Sequence, residues 1–121
     1  MAGDELIQLA PPAKNGLSEE ELALFDILTK SNINLTVKEV SQVKKAAREL
    51  LETLKREMLV LDWRKRQQAR AMVRVTIEKE LDRTLPEAFT AELYEEKTAA
   101  VYQHIYDNYY GNGKSVYSAV A

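Results

Sequence analysis

Apolar residues recur at the three- and four-residue spacing of helices along most of this chain, and neither Gly nor Pro interrupts the stretch between Gly16 and Pro86. A Ser or Thr followed three residues later by Glu can form a capping box, in which two side chains satisfy free backbone amides at a helix start. Two such pairs precede a stretch of helical apolar spacing: Ser18 with Glu21, and Thr36 with Glu39. They predict a first helix over about residues 19–30 and a second over about 37–58.

The apolar positions predict which face of each helix points inward. In the first helix they are Leu22, Phe25 and Leu28. In the second they are Val40, Val43, Ala47, Leu50, Leu51, Leu54 and Met58. At roughly 100° per residue these positions form one narrow stripe, which is typical of an amphipathic helix.

Four consecutive apolar residues, 58–61, break that stripe because they would point all round a helix. They predict a tight, buried corner, with Asp62 as N-cap of a third helix over about 63–84. The alternative is one unbroken helix over 37–84. The third helix has apolar residues on two faces, which predicts a central position. One face carries Trp63, Val73, Ile77 and Leu81, and the other carries Ala71, Met72 and Val75.

A fourth helix is predicted over about 91–110, because Pro86 ends the third, Thr90 can act as N-cap and Gly111 supplies a C-terminal stop. Its predicted inner face consists of Tyr94, Val101, Ile105 and Tyr109. Tyr102, Tyr106 and Tyr110 form a second row beside it.

The predicted fold class is therefore all-α: a compact bundle of about four main helices, a short N-terminal helical segment and a mobile C-terminal tail. The predicted boundaries are 1–16 for the N-terminal segment and linker, 17–110 for the helical domain, and 111–121 for the tail. The composition, with 30% charged and 45% hydrophobic residues, is that of a globular domain. The chain has no cysteine, which excludes disulfides and thiolate metal sites. No long apolar run or signal peptide is present, which predicts a cytoplasmic location.

The densest positive charge follows the only Trp, where no acid lies between Asp62 and Glu78. Cations near a helix start oppose the macrodipole at roughly 0.3–1 kcal/mol each, so they should have partners. Lys65, Arg66, Arg70 and Arg74 are candidates for contact with phosphate. The alternative is pairing within the fold, with Glu52, Glu57 or acids of the fourth helix. We favour the second explanation, since the three arginines are predicted to share a face with core residues.

The second tyrosine row also allows two interpretations. Aromatic residues at helical spacing are mostly core residues, yet Tyr is enriched at protein interfaces. Five of the six Tyr follow Val101, and both interpretations stay open. Tyr102, Tyr106 and Tyr110 are accordingly candidate partner-docking residues.

We predict no catalytic, cofactor-binding or metal site in this chain. Residues 113–115 read Gly-Lys-Ser, as at the end of a phosphate-binding loop, but Asn108 stands where the first Gly belongs. His104 is the only histidine and has no companion ligand or nucleophile at a useful spacing. We predict a solvated or hydrogen-bonded surface histidine.

Three segments occur together, in this order, in a known family: LSEEELALFDIL from Leu17, LVLDWRKRQQARAMVRVTIE from Leu59, and LYEEKTAAVYQHIYDNYYG from Leu93. They resemble the extreme C-terminal domain of the restriction (R) subunit of type I restriction–modification enzymes. The resemblance implies a parent subunit that cleaves and translocates DNA with ATP and magnesium. It implies no cofactor and no catalytic residue in this chain, which carries none of the nuclease or motor motifs.

By that resemblance the expected role is docking of the R subunit onto the methyltransferase (M) and specificity (S) subunits. One alternative is a helical element that contacts the DNA backbone in the same complex. Another, independent of the resemblance, is a generic helical adaptor. No membrane partner is expected.

Overall fold

The computed structural model describes residues 16–30 and 34–117, and it confirms the four-helix architecture. The helices are α1 (Glu19–Thr29), α2 (Val37–Thr53), α3 (Gln67–Thr84) and α4 (Ala91–Asn108). A short antiparallel hairpin follows, made of β1 (Tyr109–Gly111) and β2 (Lys114–Ser115). The helical segment predicted before Gly16 lies outside the described residues. Within the described part, no helix is both long and apolar enough to cross a membrane.

Both predicted capping boxes are confirmed. The Ser18 hydroxyl accepts from the amide of Glu21 at 3.2 Å, and the Glu21 carboxylate accepts from the amide of Ser18 at 3.0 Å. Thr36 and Glu39 make the same reciprocal pair at 3.1 and 2.9 Å. These bonds explain why α1 and α2 begin where they do, since each satisfies two amides that the helix itself cannot pair.

The predicted stripe of α2 forms the centre of the core, and Leu50 and Leu54 are fully buried. The inward face of α1 is shifted from the prediction: Leu24 and Leu28 are buried, whereas Leu22 and Phe25 are only half-buried. The core is completed by residues of α3, α4 and the turns between helices: Trp63, Val73, Ile77, Leu81, Val101 and Ile105.

The chain does turn after Met58, but the predicted corner is only partly correct. A π-helical turn, Leu54–Met58, widens the end of α2, and Leu59 is then buried. Val60 and Leu61 are 44% and 61% exposed, so the corner as a whole is not buried. The alternative of one unbroken helix is wrong, because a 3₁₀ turn and a break at Arg66 precede α3.

Asp62 does not cap a helix, contrary to prediction. It adopts a left-handed conformation (φ 59°) and its side chain makes no capping bond to the 3₁₀ turn Trp63–Lys65 that follows. Helix α3 starts only at Gln67, with Arg66 at its N-cap position. Part of the basic run therefore precedes the helix instead of lying inside its first turn.

The second apolar face of α3 is on the surface, so the predicted burial on two faces is wrong, although α3 packs against both α2 and α4. Met72 is 50% exposed and Val75 is 40% exposed, and Ala71 is exposed as well. Only the face carrying Val73, Ile77 and Leu81 is buried.

Helix α4 ends at Asn108, two residues before the predicted end, because the chain then forms the hairpin. Tyr109 pairs with Ser115, and Gly111 pairs with Lys114. Gly111 has φ +103°, and a Cβ built on it would lie 2.3 Å from the carbonyl oxygen of Val60. The hairpin thus packs directly on the turn after α2. Residues 111–115, predicted to begin a mobile tail, are part of this hairpin, and residues 118–121 of the predicted tail lie outside the described residues.

Candidate functional site

Trp63 is the fixed point around which the candidate site is built. Its indole is fully buried, and Nε1 donates a 3.1 Å hydrogen bond to the carbonyl oxygen of Tyr109. The rings of Tyr102 and Tyr106 meet the indole edge-on, with centroids 6.5 and 6.0 Å away. Two members of the tyrosine row therefore have an intramolecular role in packing against Trp63.

Arg64 lies on the outer side of these rings. Its Nη1 donates to the carbonyl oxygen of Tyr106 at 2.8 Å, near the C-terminal end of α4, where a cation is favourable. The guanidinium carbon lies 5.4 Å from the Tyr106 ring centroid and 5.1 Å from that of Tyr110. Arg70 supports this arrangement, because its Nη1 donates to the Arg64 carbonyl at 2.7 Å.

Arg74 extends the same arrangement along α3. Its guanidinium carbon lies 5.7 Å from the Tyr102 ring centroid, and its Nε is 3.7 Å from a carboxylate oxygen of Glu78. The structure thus brings the basic run and the tyrosine row together. We call this the aromatic–cation surface; its members are Arg64, Arg74, Tyr102, Tyr106 and Tyr110.

Two of the acids predicted to pair with the basic ladder have another partner. Glu52 and Glu57 lie 3.7 and 3.1 Å from Arg56, at the end of α2. The contacts of Arg70 and Arg74 within the fold are instead the Arg64 carbonyl, Glu78 and the Tyr102 ring. The spacing of Arg74 and Glu78 is that of an i, i+4 helix pair, whereas the contact of Arg74 with the Tyr102 ring joins segments that lie far apart in sequence.

The members of the aromatic–cation surface differ in accessibility. Tyr102 and Tyr106 are half-buried, whereas Tyr110 is 41% exposed. Lys65 and Arg66, which follow Arg64 in the chain, are exposed as well. Lys65 ends the 3₁₀ turn, and Arg66 lies just before α3. Of the residues predicted to dock a partner, Tyr110 therefore offers the most free surface.

His104 belongs to a half-buried polar cluster. The side-chain nitrogen of Asn108 is 3.2 Å from Nδ1 and also donates to the His104 carbonyl. Nε2 lies 3.5 Å from the hydroxyl of Tyr117. Burial lowers the pKa of His104 below its usual value, and the carboxylate of Asp107 offsets only part of that effect.

Residues 113–115 form the hairpin turn and β2, not a phosphate-binding loop. Gly113 has φ +80° in the turn, and the paired residues Lys114 and Ser115 follow as a strand. A phosphate-binding loop would need a strand before it and a helix after it. Residues 113–115 therefore do not have the geometry of that loop. Among the described residues there is also no group of three or more His, Cys, Asp or Glu placed to hold a metal ion.

A cavity of about 190 Å³ lies beneath the hairpin, and sequence reasoning missed it. We call it the hairpin cavity; α1, the π-helical turn and the hairpin contribute its walls. Glu20 accepts hydrogen bonds from the Tyr109 hydroxyl at 2.8 Å and from Lys55 Nζ at 3.2 Å. Burial, together with the bond to Glu20, raises the pKa of Tyr109 well above its usual range.

The geometry defines a class of protein: a helical domain with an exposed aromatic and cationic surface. The sequence matches the family of type I restriction enzyme HindI endonuclease subunit-like proteins, C-terminal domain, over residues 7–108. The chain therefore belongs to that family, as the three sequence segments predicted. No characterised protein and no solved structure matches the chain significantly.

Proposed function

We propose that this domain docks the endonuclease subunit of a type I restriction enzyme onto its methyltransferase core, without catalysis of its own. The family match supports the context, since it is to the C-terminal part of an endonuclease subunit. In this proposal, DNA cleavage and ATP- and magnesium-dependent translocation belong to other parts of the subunit. The M and S subunits are the proposed partners.

The observation that carries the proposal is the pairing of Tyr110 with Arg64. Tyr and Arg are among the residues that most often dominate binding energy at interfaces. Arg64 is already held by Arg70 and by the Tyr106 carbonyl, so its position is fixed before a partner arrives. A partner that covers Tyr110 would gain apolar contact at a low entropic cost, because few side-chain torsions remain to be ordered.

The proposal is tested by capture of the M and S subunits on the immobilised 121-residue chain. Tyr110→Ala is expected to reduce capture, because it removes the most exposed ring of the aromatic–cation surface. Val37→Ala is the control. Val37 is 86% exposed and is the first residue of α2, at the end of that helix that does not lead into the π-helical turn. Equal capture by the wild-type chain and both variants would contradict the proposed docking surface.

The same chain is expected to hydrolyse no ATP and to cut no DNA. Nucleotide turnover that survives purification and disappears in Lys114→Ala would contradict the proposal of a non-catalytic domain. Lys114 is the variant of choice because it is the lysine of the Gly-Lys-Ser segment.

Contact with the DNA backbone is a second candidate function, favoured by the exposure of Lys65 and Arg66. Phosphate contacts release counterions, so such binding should weaken steeply as salt rises. Lys65→Ala would then reduce duplex affinity and the salt dependence together. If the chain does not bind duplex DNA at physiological salt, this second candidate function is wrong and docking remains the proposed function.

A further inference from the structure

The hairpin cavity has walls from parts of the chain that are far apart in sequence. Glu20 comes from α1, Lys55 from the π-helical turn, and Leu59 from the turn after it. The remaining walls come from the hairpin and include Tyr109, Lys114 and Tyr117. Most of the exposed lining is apolar surface, and three charged groups, from Glu20, Lys55 and Lys114, add the polar contacts. Concave sites with mostly apolar walls and a few polar groups are typical of binding pockets.

The backbone around the cavity is unusual at two places. π-Helical turns are rare and are frequently found at functional sites, and this one carries Lys55. Gly113, in the hairpin turn, has φ +80°, lines the cavity and is exposed to solvent. The hairpin turn therefore forms part of the rim of the cavity.

The polar wall of the cavity is fixed before any ligand binds. Glu20 accepts from both Lys55 and the Tyr109 hydroxyl, so its carboxylate is engaged within the fold. Lys114 is different, because it lines the cavity and is exposed to solvent. The charge that the rim offers to an incoming group is therefore positive.

The size of the cavity limits what it can hold. Its volume of about 190 Å³ is below the roughly 300–1,000 Å³ of sites for drug-sized ligands. An apolar cavity of about 150 Å³ is enough to bind benzene. The hairpin cavity therefore matches one aromatic ring.

We infer that the hairpin cavity receives an aromatic side chain of the docking partner, with a neighbouring carboxylate of that partner facing Lys114. This inference rests on the proposed function and names the chemistry of the partner. The two tyrosines of β1 point to opposite sides: Tyr109 lines the cavity, and Tyr110 lies under Arg64 on the aromatic–cation surface. A partner that encloses the hairpin turn contacts both sides at once.

The cavity is tested first without a partner, by ¹H–¹⁵N NMR titration of the 121-residue chain. The probe is N-acetyl-phenylalanine, which carries a ring and a carboxylate; its C-terminal amide is the matched neutral probe. The acid is expected to shift the amide signals of Gly111, Gly113 and Lys114. It should bind about two- to fivefold more tightly than the amide, the range expected for an exposed ion pair. Unshifted hairpin signals, or equal affinity for both probes, would overturn the inference.

The second experiment measures how well the Lys114→Glu chain captures the M and S subunits. Lys38→Glu is the control, because Lys38 lies in the first turn of α2, at the end away from the π-helical turn. Lys114→Glu is expected to lower both probe binding and capture, whereas Lys38→Glu changes neither. If Lys114→Glu captures normally while Tyr110→Ala does not, docking stands and the inference about the cavity fails. If neither Lys114→Glu nor Tyr110→Ala changes capture, the proposed docking surface itself fails.

Discussion

The indole Nε1 of Trp63 donates its hydrogen bond to the carbonyl oxygen of Tyr109, and this bond is buried. It joins the turn after α2 to the start of the hairpin, across 46 positions of sequence. A second bond, from the amide of Asn112 to the carbonyl of Leu59 at 3.0 Å, joins the same two segments. The two bonds hold the hairpin in place, so both the aromatic–cation surface and the hairpin cavity depend on them.

The close packing of the hairpin predicts different costs for two glycine substitutions. Gly111→Ala should destabilise the domain by about 2–5 kcal/mol, because a left-handed conformation and a clash with the Val60 carbonyl add together. Gly113→Ala should cost only about 1–2 kcal/mol, because it has the backbone conformation alone. Urea denaturation of both variants measures the difference, and equal losses would show that the hairpin does not pack on Val60.

Truncation of a single core residue of α2 is expected to lower the free energy of unfolding by a large amount. Leu50→Ala should lower the free energy of unfolding by about 2–5 kcal/mol, since Leu50 is completely buried. Val37→Ala, at an exposed position of the same helix, should change it by less than about 0.5 kcal/mol. A loss below that value for Leu50→Ala would mean that α2 packs with another face.

Arg70 is predicted to act mainly within the fold, because it donates to the carbonyl of Arg64. Arg70→Ala should lower stability by about 1.5–3 kcal/mol, the usual range for losing a hydrogen bond made by a charged group. Arg66→Ala, at an exposed neighbouring position, is the control for stability alone, since Arg66 is itself a candidate DNA contact. If Arg70→Ala instead abolishes salt-sensitive duplex binding and leaves the melting temperature unchanged, the phosphate-contact explanation is correct.

His104 predicts that the domain loses stability on mild acidification. Its folded-state pKa is lowered by burial, so the unfolded chain binds a proton more readily than the folded one. The stability that the uncharged His104 contributes is therefore fully present above the unfolded-state pKa of about 6.5. It is lost as the pH decreases below that value. Thermal melts between pH 7.5 and 5 should show this slope, and His104→Gln should reduce it. Stability that rises on acidification would contradict a lowered pKa of His104.

The helices could be predicted from sequence because their signals are local. The two capping boxes each act over three residues, and the stripe of α2 repeats at a fixed period. The turn after Met58 was placed correctly, but its burial was not, because apolar character does not reveal which residues of a turn face the core. Leu59 enters the core, and Val60 and Leu61 remain exposed. The hairpin was missed because strands of three and two residues are too short to show alternation.

The site was harder to predict because its contacts join distant segments. The basic ladder and the tyrosine row were each found, but their meeting depends on how α3 packs beside α4. Neither segment alone indicates that Arg64 lies over Tyr110. The only available sign of the hairpin cavity was the pair Gly111 and Gly113, which indicates special backbone conformations but not what they enclose.

The most direct test of the account is titration calorimetry of the complete R subunit, with and without Tyr110→Ala, against the assembled M and S subunits. The account predicts an affinity loss of about 2 kcal/mol, near thirtyfold, with an unchanged melting temperature, as for an exposed interface residue. Tyr106→Ala is a less clean test, because Tyr106 also packs on Trp63. Unchanged affinity for the Tyr110→Ala subunit would contradict docking through the aromatic–cation surface.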